Sequence, residues 1–386
     1  MEQAIALEGG GAKGAYEIGA LRALKERKIT IIAVAGTSIG AMNGAMIVMD
    51  AMEEAEDLWR NIQFEDILSC PQALQEIFWD EKLNMKQAQA AFQTFRQMIH
   101  DRGLDSTPLR NLVDRYLDED RFRKSDIDYG LVTYSVTDRK GVVKFRDEIP
   151  VGELGDYILA SAAYPLFQMV EIEGKKYIDG GIYDNSPVRM LVERGYKQII
   201  CIQIGATRVV HDYPGVNVTH IYPRVPLGHA LDVRREKLEL YTQQGYFDTI
   251  RTLDSLFGNR FYIKDLPSEA KLLELILAFY QDDSEWIQWV MGMKPDSLRA
   301  IFEEGLGKAW KRYGLDRHAG YQDLFVMILE EAAVEAGLER FKIYDFWDLV
   351  TRIEKAQPKE PVNLGIKSQS RLMSIVHRRL SKWRKV

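Results

Sequence analysis

Ala4-Ile5-Ala6-Leu7-Glu8-Gly9-Gly10-Gly11-Ala12-Lys13-Gly14 opens the chain, and Ile31-Ile32-Ala33-Val34-Ala35-Gly36-Thr37-Ser38-Ile39-Gly40 follows one supersecondary unit later. Each stretch reads as a short apolar strand that breaks into a glycine-rich turn and then a helical pattern. Between them Ala15, Ile18, Leu21 and Leu24 share one face of an amphipathic helix, away from Lys25, Glu26 and Arg27. Strand, helix and strand make a β-α-β unit, which implies parallel strands in one sheet. Ser38 opens a second helix. Its apolar stripe is Ile39, Met42, Met46 and Met49, and small Gly40, Ala41, Gly44 and Ala45 let it lie close on the sheet.

The 386 residues suit one large domain or two moderate ones. With 46% hydrophobic and 28% charged residues the composition is that of a globular protein with a sizeable core. A net charge of −6 says nothing in favour of nucleic acid. The two cysteines, Cys70 and Cys201, stand at no metal-ligand spacing and define no disulfide framework, which points to a reducing compartment. The start lacks the basic region of a signal peptide, and no stretch reaches the roughly 18 apolar residues of a membrane span. A cytoplasmic protein is the expectation.

Residues 53–117 read as helical throughout, either a lid over an apolar site or a cover for one face of the sheet. Strands resume at 130–136 and 142–145, joined by the turn Asp138-Arg139-Lys140-Gly141. A small-residue helix, Leu159 to Tyr164, stops at Pro165. A hairpin around Glu173-Gly174 runs into Asp179-Gly180-Gly181, and 198–204 is a continuous apolar run, as a central strand buried on both faces should be. From about 225 the strands stop and helical patterns follow at roughly 230–257, 269–280, 284–293, 296–312, 319–336 and 343–356. Residues 357–361 read as a linker. The tail 365–386 is basic, without an acidic residue, and carries an apolar stripe ending at Trp383. The expected organisation is 1–225 as an α/β catalytic domain with a helical insertion at 53–117, 226–356 as a helical region, and 357–386 as linker and tail.

Gly36-Thr37-Ser38-Ile39-Gly40 has the G-x-S-x-G form of a nucleophile elbow, in which flanking glycines allow a sharp strand-to-helix turn that lifts the hydroxyl clear of the sheet. A plain helix N-cap at Ser38 explains the same residues. Gly9, Gly10 and Gly11 could aim several backbone N–H groups at one point, as an oxyanion requires, and Lys13 adds a nearby positive charge. Gly9, Gly11 and Gly14 also satisfy G-x-G-x-x-G, but a dinucleotide fold wants an acid about 20 residues on, at the end of the second strand, where Ala33-Val34-Ala35-Gly36 has none. Ala15-Tyr16 after Gly14 excludes a phosphate-binding P-loop. A serine needs a base. None of the six histidines sits in a glycine-framed motif, whereas Asp179 is framed by Gly180 and Gly181. A carboxylate in a dry site can take the proton directly, although an ordinary Asp-Gly turn fits Asp179 equally.

Taken together, these blocks resemble the patatin-like phospholipase family, of the bacterial acyl-hydrolase type. Glu8 to Gly14 is similar to its oxyanion loop, Gly36 to Gly40 to its elbow, Ala160-Ser161-Ala162-Ala163-Tyr164-Pro165 to its third block, and Asp179-Gly180-Gly181 to its D-G-[AG] motif, with Asn185-Ser186-Pro187 following. The likeness covers roughly residues 4–205. It implies an α/β, three-layer α/β/α patatin-like fold, here with a helical C-terminal region. It implies hydrolysis of lipid acyl esters by a Ser38–Asp179 dyad without histidine. The oxyanion hole would be Gly9, Gly10, Gly11 and Ile39, with Lys13, Gly14, Gly36, Gly40, Gly180 and Gly181 in support. No cofactor and no metal are implied, so calcium-independent activity is expected. Leu166-Phe167-Gln168-Met169 departs from members that carry a further proline there. The expected partner is a lipid substrate, with peripheral membrane contact through 365–386, no nucleic acid, and a homo-oligomer left open. A Ser–Asp–His triad using a later histidine such as His220, and a non-catalytic scaffold, remain as alternatives.

Overall fold

A computed structural model describes residues 2–69, 104–164, 167–282, 284–316 and 318–356. The expectations for the middle of the helical insertion (70–103), for Pro165-Leu166, for the linker and for the basic tail lie outside the described residues. The chain divides into two compact units, Met1–Thr252 and a second that begins at Leu253. The expected boundary near 225 therefore falls inside the first unit.

The first unit is an eight-stranded sheet covered by helices, the α/β/α architecture expected. Its strands are β1 Glu2–Leu7, β2 Thr30–Thr37, β3 Asp128–Ser135, β4 Lys140–Phe145, β5 Val170–Ile172, β6 Lys175–Asp179, β7 Gln198–Ile202 and β8 Asn217–Ile221, paired in the order β5-β6-β3-β2-β1-β7-β8 with β4 also on β3. β1, β2, β3, β7 and β8 are parallel to their neighbours among one another. The helices are α1 Gly14–Glu26, α2 Ile39–Val48, α3 Met52–Asn61, α4 Thr107–Tyr116, α5 Glu119–Lys124, α6 Leu154–Ser161, α7 Val188–Glu193 and α8 Arg235–Leu253.

Strand alternation sorts the two faces of the sheet. Ala4, Ala6, Ala33 and Ala35 point to one face, where they pack with Val188, Met190 and Leu191 of α7. Leu7 and Val34 point to the other, where α2 lies so close that a Cβ on Gly44 would stand 2.8 Å from Val34 Cγ1. α8 belongs to this unit because α1 is cut to receive it. Gly19 faces the Thr242 carbonyl, Gly245 faces the Tyr16 carbonyl, and buried Tyr16 donates its hydroxyl proton to Asp248 at 3.0 Å.

The register of β3 positions the two candidate catalytic residues. β4 pairs with Gly130 to Ser135 and occupies one edge of β3 over that length. β2 pairs with Asp128 to Val132 and β6 with Thr133 to Ser135, so both must share the other edge. They run toward each other and meet there: Thr37 stands opposite Val132, and Asp179 opposite Thr133. Ser38 is the residue after Thr37.

The second unit packs its own core, including Phe261, Leu272, Leu275, Ile328, Phe346 and Leu349. Its helices are α9 Glu269–Asp282, α10 Ser284–Met291, α11 Leu306–Arg312, α12 Tyr321–Glu335 and α13 Phe346–Lys355. The region is not purely helical. β9 Tyr262–Lys264 and β10 Ile343–Asp345 form a parallel pair, and the helix expected from 343 starts at Phe346, where Asp345 caps it by accepting from Trp347 N and Asp348 N. Buried Glu330 accepts the backbone N–H groups of Asn259, Arg260 and Phe261 and so pins the segment that enters β9.

Candidate active site

Ser38 sits between β2 and α2 at φ 55°, ψ −124°, a left-handed-side conformation that a non-glycine residue rarely adopts. Strain of this kind costs roughly 1–3 kcal/mol and persists where the surroundings over-determine it. Here they do. Ser38 N donates to Ser161 Oγ at 2.8 Å, Ser161 Oγ donates to the Val132 carbonyl at 2.7 Å, and Thr37 Oγ1 donates to the Asp184 carbonyl at 2.8 Å. Gly36 and Gly40 flank the turn because neither tolerates a Cβ: at Gly36 it would meet the Gly40 carbonyl, and at Gly40 it would stand 2.6 Å from the Leu7 carbonyl oxygen.

The Asp179 carboxylate is 6% exposed. Its Oδ1 accepts from Gly181 N at 2.7 Å, and the Ser38 side chain lies beside the same carboxylate, where it favours the charged form. Burial pushes the carboxyl above the usual aspartate range, against the opposing pull of the Gly181 N–H and the Ser38 hydroxyl. Its own N–H donates to the Ala163 carbonyl at 2.8 Å, which ties the third sequence block to the D-G-G turn. Gly180 packs against the backbone of Val132 and Thr133.

The glycine loop is shaped by three anchors. Gly9 donates its N–H to the Asn185 carbonyl at 3.1 Å and accepts from Asn185 Nδ2 at 3.0 Å. Buried Glu8 accepts Ile204 N at 2.5 Å and Gly205 N at 2.7 Å. Ala12 N donates to the Ala230 carbonyl at 2.6 Å, and Gly11 holds φ 58° against that carbonyl. Gly9 is thus corrected as an oxyanion donor, because its N–H is already committed to Asn185. Among the described residues, the N–H groups of Gly10, Gly11 and Ile39 donate to no backbone carbonyl in the turns and loops. Lys13 does not line the cavity. Burial lowers its ammonium, and the nearby Glu8 charge counteracts this. Gly14 starts α1 behind the loop, between Ile39, Trp59 and Asn43.

All of this borders one cavity of about 700 Å³. Gly9, Gly10, Gly11, Ser38, Ile39, Asp179 and Gly181 line it together with Trp59, Ile62, Ile67, Leu109, Leu112, Phe167 and Leu231. An apolar chamber with a few convergent polar groups is the usual form of a small-molecule site. Of the histidines among the described residues, His229 lines it. His220 lies on β8, stacked on His211 at 5.8 Å between ring centroids, and does not. Sequence reasoning gave no role to Ser161, Glu8, Asn185 or Trp59. The first three stand inside or beside the quoted blocks, so proximity to the glycines was their signal, while the signal for Trp59 was its place among the aromatic residues of the helical stretch 53–117. Among the described residues no three His, Cys, Asp or Glu side chains gather to hold a metal ion, and no helix is long and apolar enough to cross a membrane.

The family model for patatin-like phospholipases matches residues 5–192, the stretch that carries every glycine-framed turn above. This part of the chain is similar to that family. Lysophospholipase NTE1 of Phaeosphaeria nodorum is 29% identical over 205 residues, 52% of this chain and 12% of that protein. Patatin-like phospholipase domain-containing protein 7 of Rattus norvegicus is 26% identical over 208 residues, 53% of this chain and 14% of that protein. The matched stretch is therefore a small part of either relative. VipD from Legionella pneumophila, a crystal structure, has a TM-score of 0.40 at 13% identity, covering 97% of this chain and 83% of that one.

Proposed function

We propose that the chain is a serine acyl hydrolase that cleaves carboxylic esters of lipids, with Ser38 as nucleophile and Asp179 as its base. The observation that carries this reading is that Ser38 and Asp179 line the same apolar cavity, together with Gly10, Gly11 and Ile39, whose backbone N–H groups can meet an oxyanion. Ser38 Oγ attacks the acyl carbonyl while Asp179 takes its proton. The tetrahedral oxyanion is held by N–H groups of Gly10, Gly11 and Ile39, each worth roughly 3 kcal/mol to the barrier. The C–O bond breaks, Asp179 returns the proton to the leaving alcohol, and an acyl-serine remains. Water then attacks, Asp179 again takes and returns a proton, and the fatty acid leaves. The apolar lining suits an acyl chain, and no step is routed through a metal.

A Ser–Asp–His triad is the second reading, favoured by a single observation, that His229 lines the cavity. His220 gives it no support, since its ring Nε2 faces the His211 backbone.

The test is hydrolysis of a panel of phospholipids, lysophospholipids and short acyl esters, with a calcium chelator present throughout, by wild type, Ser38→Ala and His229→Gln. The dyad predicts turnover by wild type, none by Ser38→Ala, and His229→Gln within about threefold of wild type, against the 10²–10⁴-fold that a general base contributes. Equal turnover by wild type and Ser38→Ala would refute the proposal.

A further inference from the structure

Behind the cavity wall stands a polar hub that the proposed chemistry does not use. Glu17 on α1 and Asn43 on α2 have no solvent exposure, and Trp59 on α3 has 3%. Trp59 Nε1–H donates to Asn43 Oδ1 at 3.0 Å. Asn43 Nδ2 donates to Glu17 Oε2 at 2.8 Å and to the Gly14 carbonyl at 3.2 Å. Glu17 Oε1 is buried with no hydrogen-bond partner among the described residues. Only Trp59 of the three lines the cavity.

Three helices could meet through apolar side chains without leaving any polar atom to satisfy, so a buried amide here asks for a reason. What the amide does is select one placement of the indole. A buried N–H left without an acceptor is unfavourable, so the ring stays where Asn43 Oδ1 can receive it. That placement is tied to the reacting centre. A Cβ on Gly14 would stand 2.7 Å from Trp59 Cζ2 and 2.7 Å from Ile39 Cγ1, so the indole and the residue after Ser38 pack on the same spot at the start of α1. The wall is thereby registered against the point where the ester carbonyl would sit. Burial pushes the Glu17 carboxyl well above its usual range, so the interior favours the uncharged acid and the hub is not an ion pair.

We propose that Asn43 is a positioning residue for acyl-chain selection: by holding Trp59 Nε1–H it makes the indole a fixed wall of the acyl cavity, and so sets which chain lengths are accepted. This rests on the acyl-hydrolase reading above. A rigid wall discriminates sharply, since one methylene in an apolar pocket changes kcat/KM by roughly tenfold or more. A wall free to swing does not.

The experiment is kcat/KM on a homologous series of straight-chain acyl esters, read as the ratio of long to short chains. Trp59→Phe keeps an aromatic wall but removes the N–H together with part of the ring, so Asn43→Ser, which leaves the indole whole, separates the bond from the volume. Trp59→Phe is expected to shift the ratio about tenfold toward long chains. Asn43→Ser is expected to shift it the same way, and the double variant no further than either single one, the mark of two residues acting through one bond. A uniform loss across all chain lengths would mean a merely structural role and would overturn the proposal, as would shifts that add. If Asn43→Ser does not fold, Asn43→Leu, which fills the same space without an acceptor for the indole N–H, takes its place, and an unchanged ratio refutes the idea. Binding of free fatty acids of the same lengths to Ser38→Ala, with and without Trp59→Phe, reads the wall without catalysis. Wild type inactive on every ester would defeat the hydrolase reading, while these affinities would still decide the wall.

Discussion

Asp179 carries the proposed chemistry because its surroundings set its basicity. Burial raises its carboxyl above the ordinary aspartate value, and the Gly181 N–H and Ser38 hydroxyl limit the rise. The base must be ionised to take a proton, so kcat/KM should fall as pH drops through this raised value, at a higher pH than for a solvated aspartate. Stability runs the other way. A carboxyl whose folded-state pKa is raised contributes stability below its unfolded value, and that contribution is lost as pH rises through the folded value. At neutral pH the ionised Asp179 therefore works against the fold. Asp179→Asn should lower kcat by about 10²–10⁴-fold. It should also raise the melting temperature at neutral pH by about 2–4 °C for each kcal/mol relieved. A variant that is inactive but no more stable in a thermal melt would contradict this account of its environment.

Among elements, the turn from β2 into α2 depends on α6. Ser161 receives Ser38 N and gives its own proton to the Val132 carbonyl, so one buried hydroxyl fastens the strained turn to β3. Ser161→Ala takes away the acceptor of Ser38 N and a donor to the Val132 carbonyl, and a buried group left without a partner costs about 1–3 kcal/mol. We expect kcat to fall more than KM rises, because the side chain binds no substrate and only fixes where Ser38 stands. A KM effect that exceeded the kcat effect would show the hydroxyl acting on substrate instead. Most elements of the first unit follow from periodicity and glycine placement. β8 does not, since Asn217-Val218-Thr219-His220-Ile221 pairs with β7 alone and lacks the two-sided apolar run of an interior strand. β9 and β10 escape for a related reason: three residues are too few to show a period.

At the scale of the whole molecule, the first unit needs α8. Without it Tyr16 would lose Asp248, and the faces of α1 around Gly19 would open to water. A chain ended at 225 should lose its cooperative thermal transition by circular dichroism, while one ended at 252 keeps it. A 1–225 chain that melts like the full protein would show α8 to be dispensable.

The sequence by itself determined which turns are special. Glycine runs and apolar strands are local, so Gly9 to Gly11, Ser38 and Asp179 could be picked out one by one, and a β-α-β unit with parallel strands followed from the order of strands and helices, while the three-layer fold came from the family resemblance. Only the tertiary structure decided how they combine. β2 and β6 share one edge of β3 and meet head to head, which is a fact of register that no local pattern encodes. Gly9 is removed from the donors by Asn185, far along the chain, and Trp59 becomes a cavity wall through a bond to Asn43 on another helix. Hydrogen bonds between distant residues depend on packing, and packing is where residue identity stops and three-dimensional placement begins.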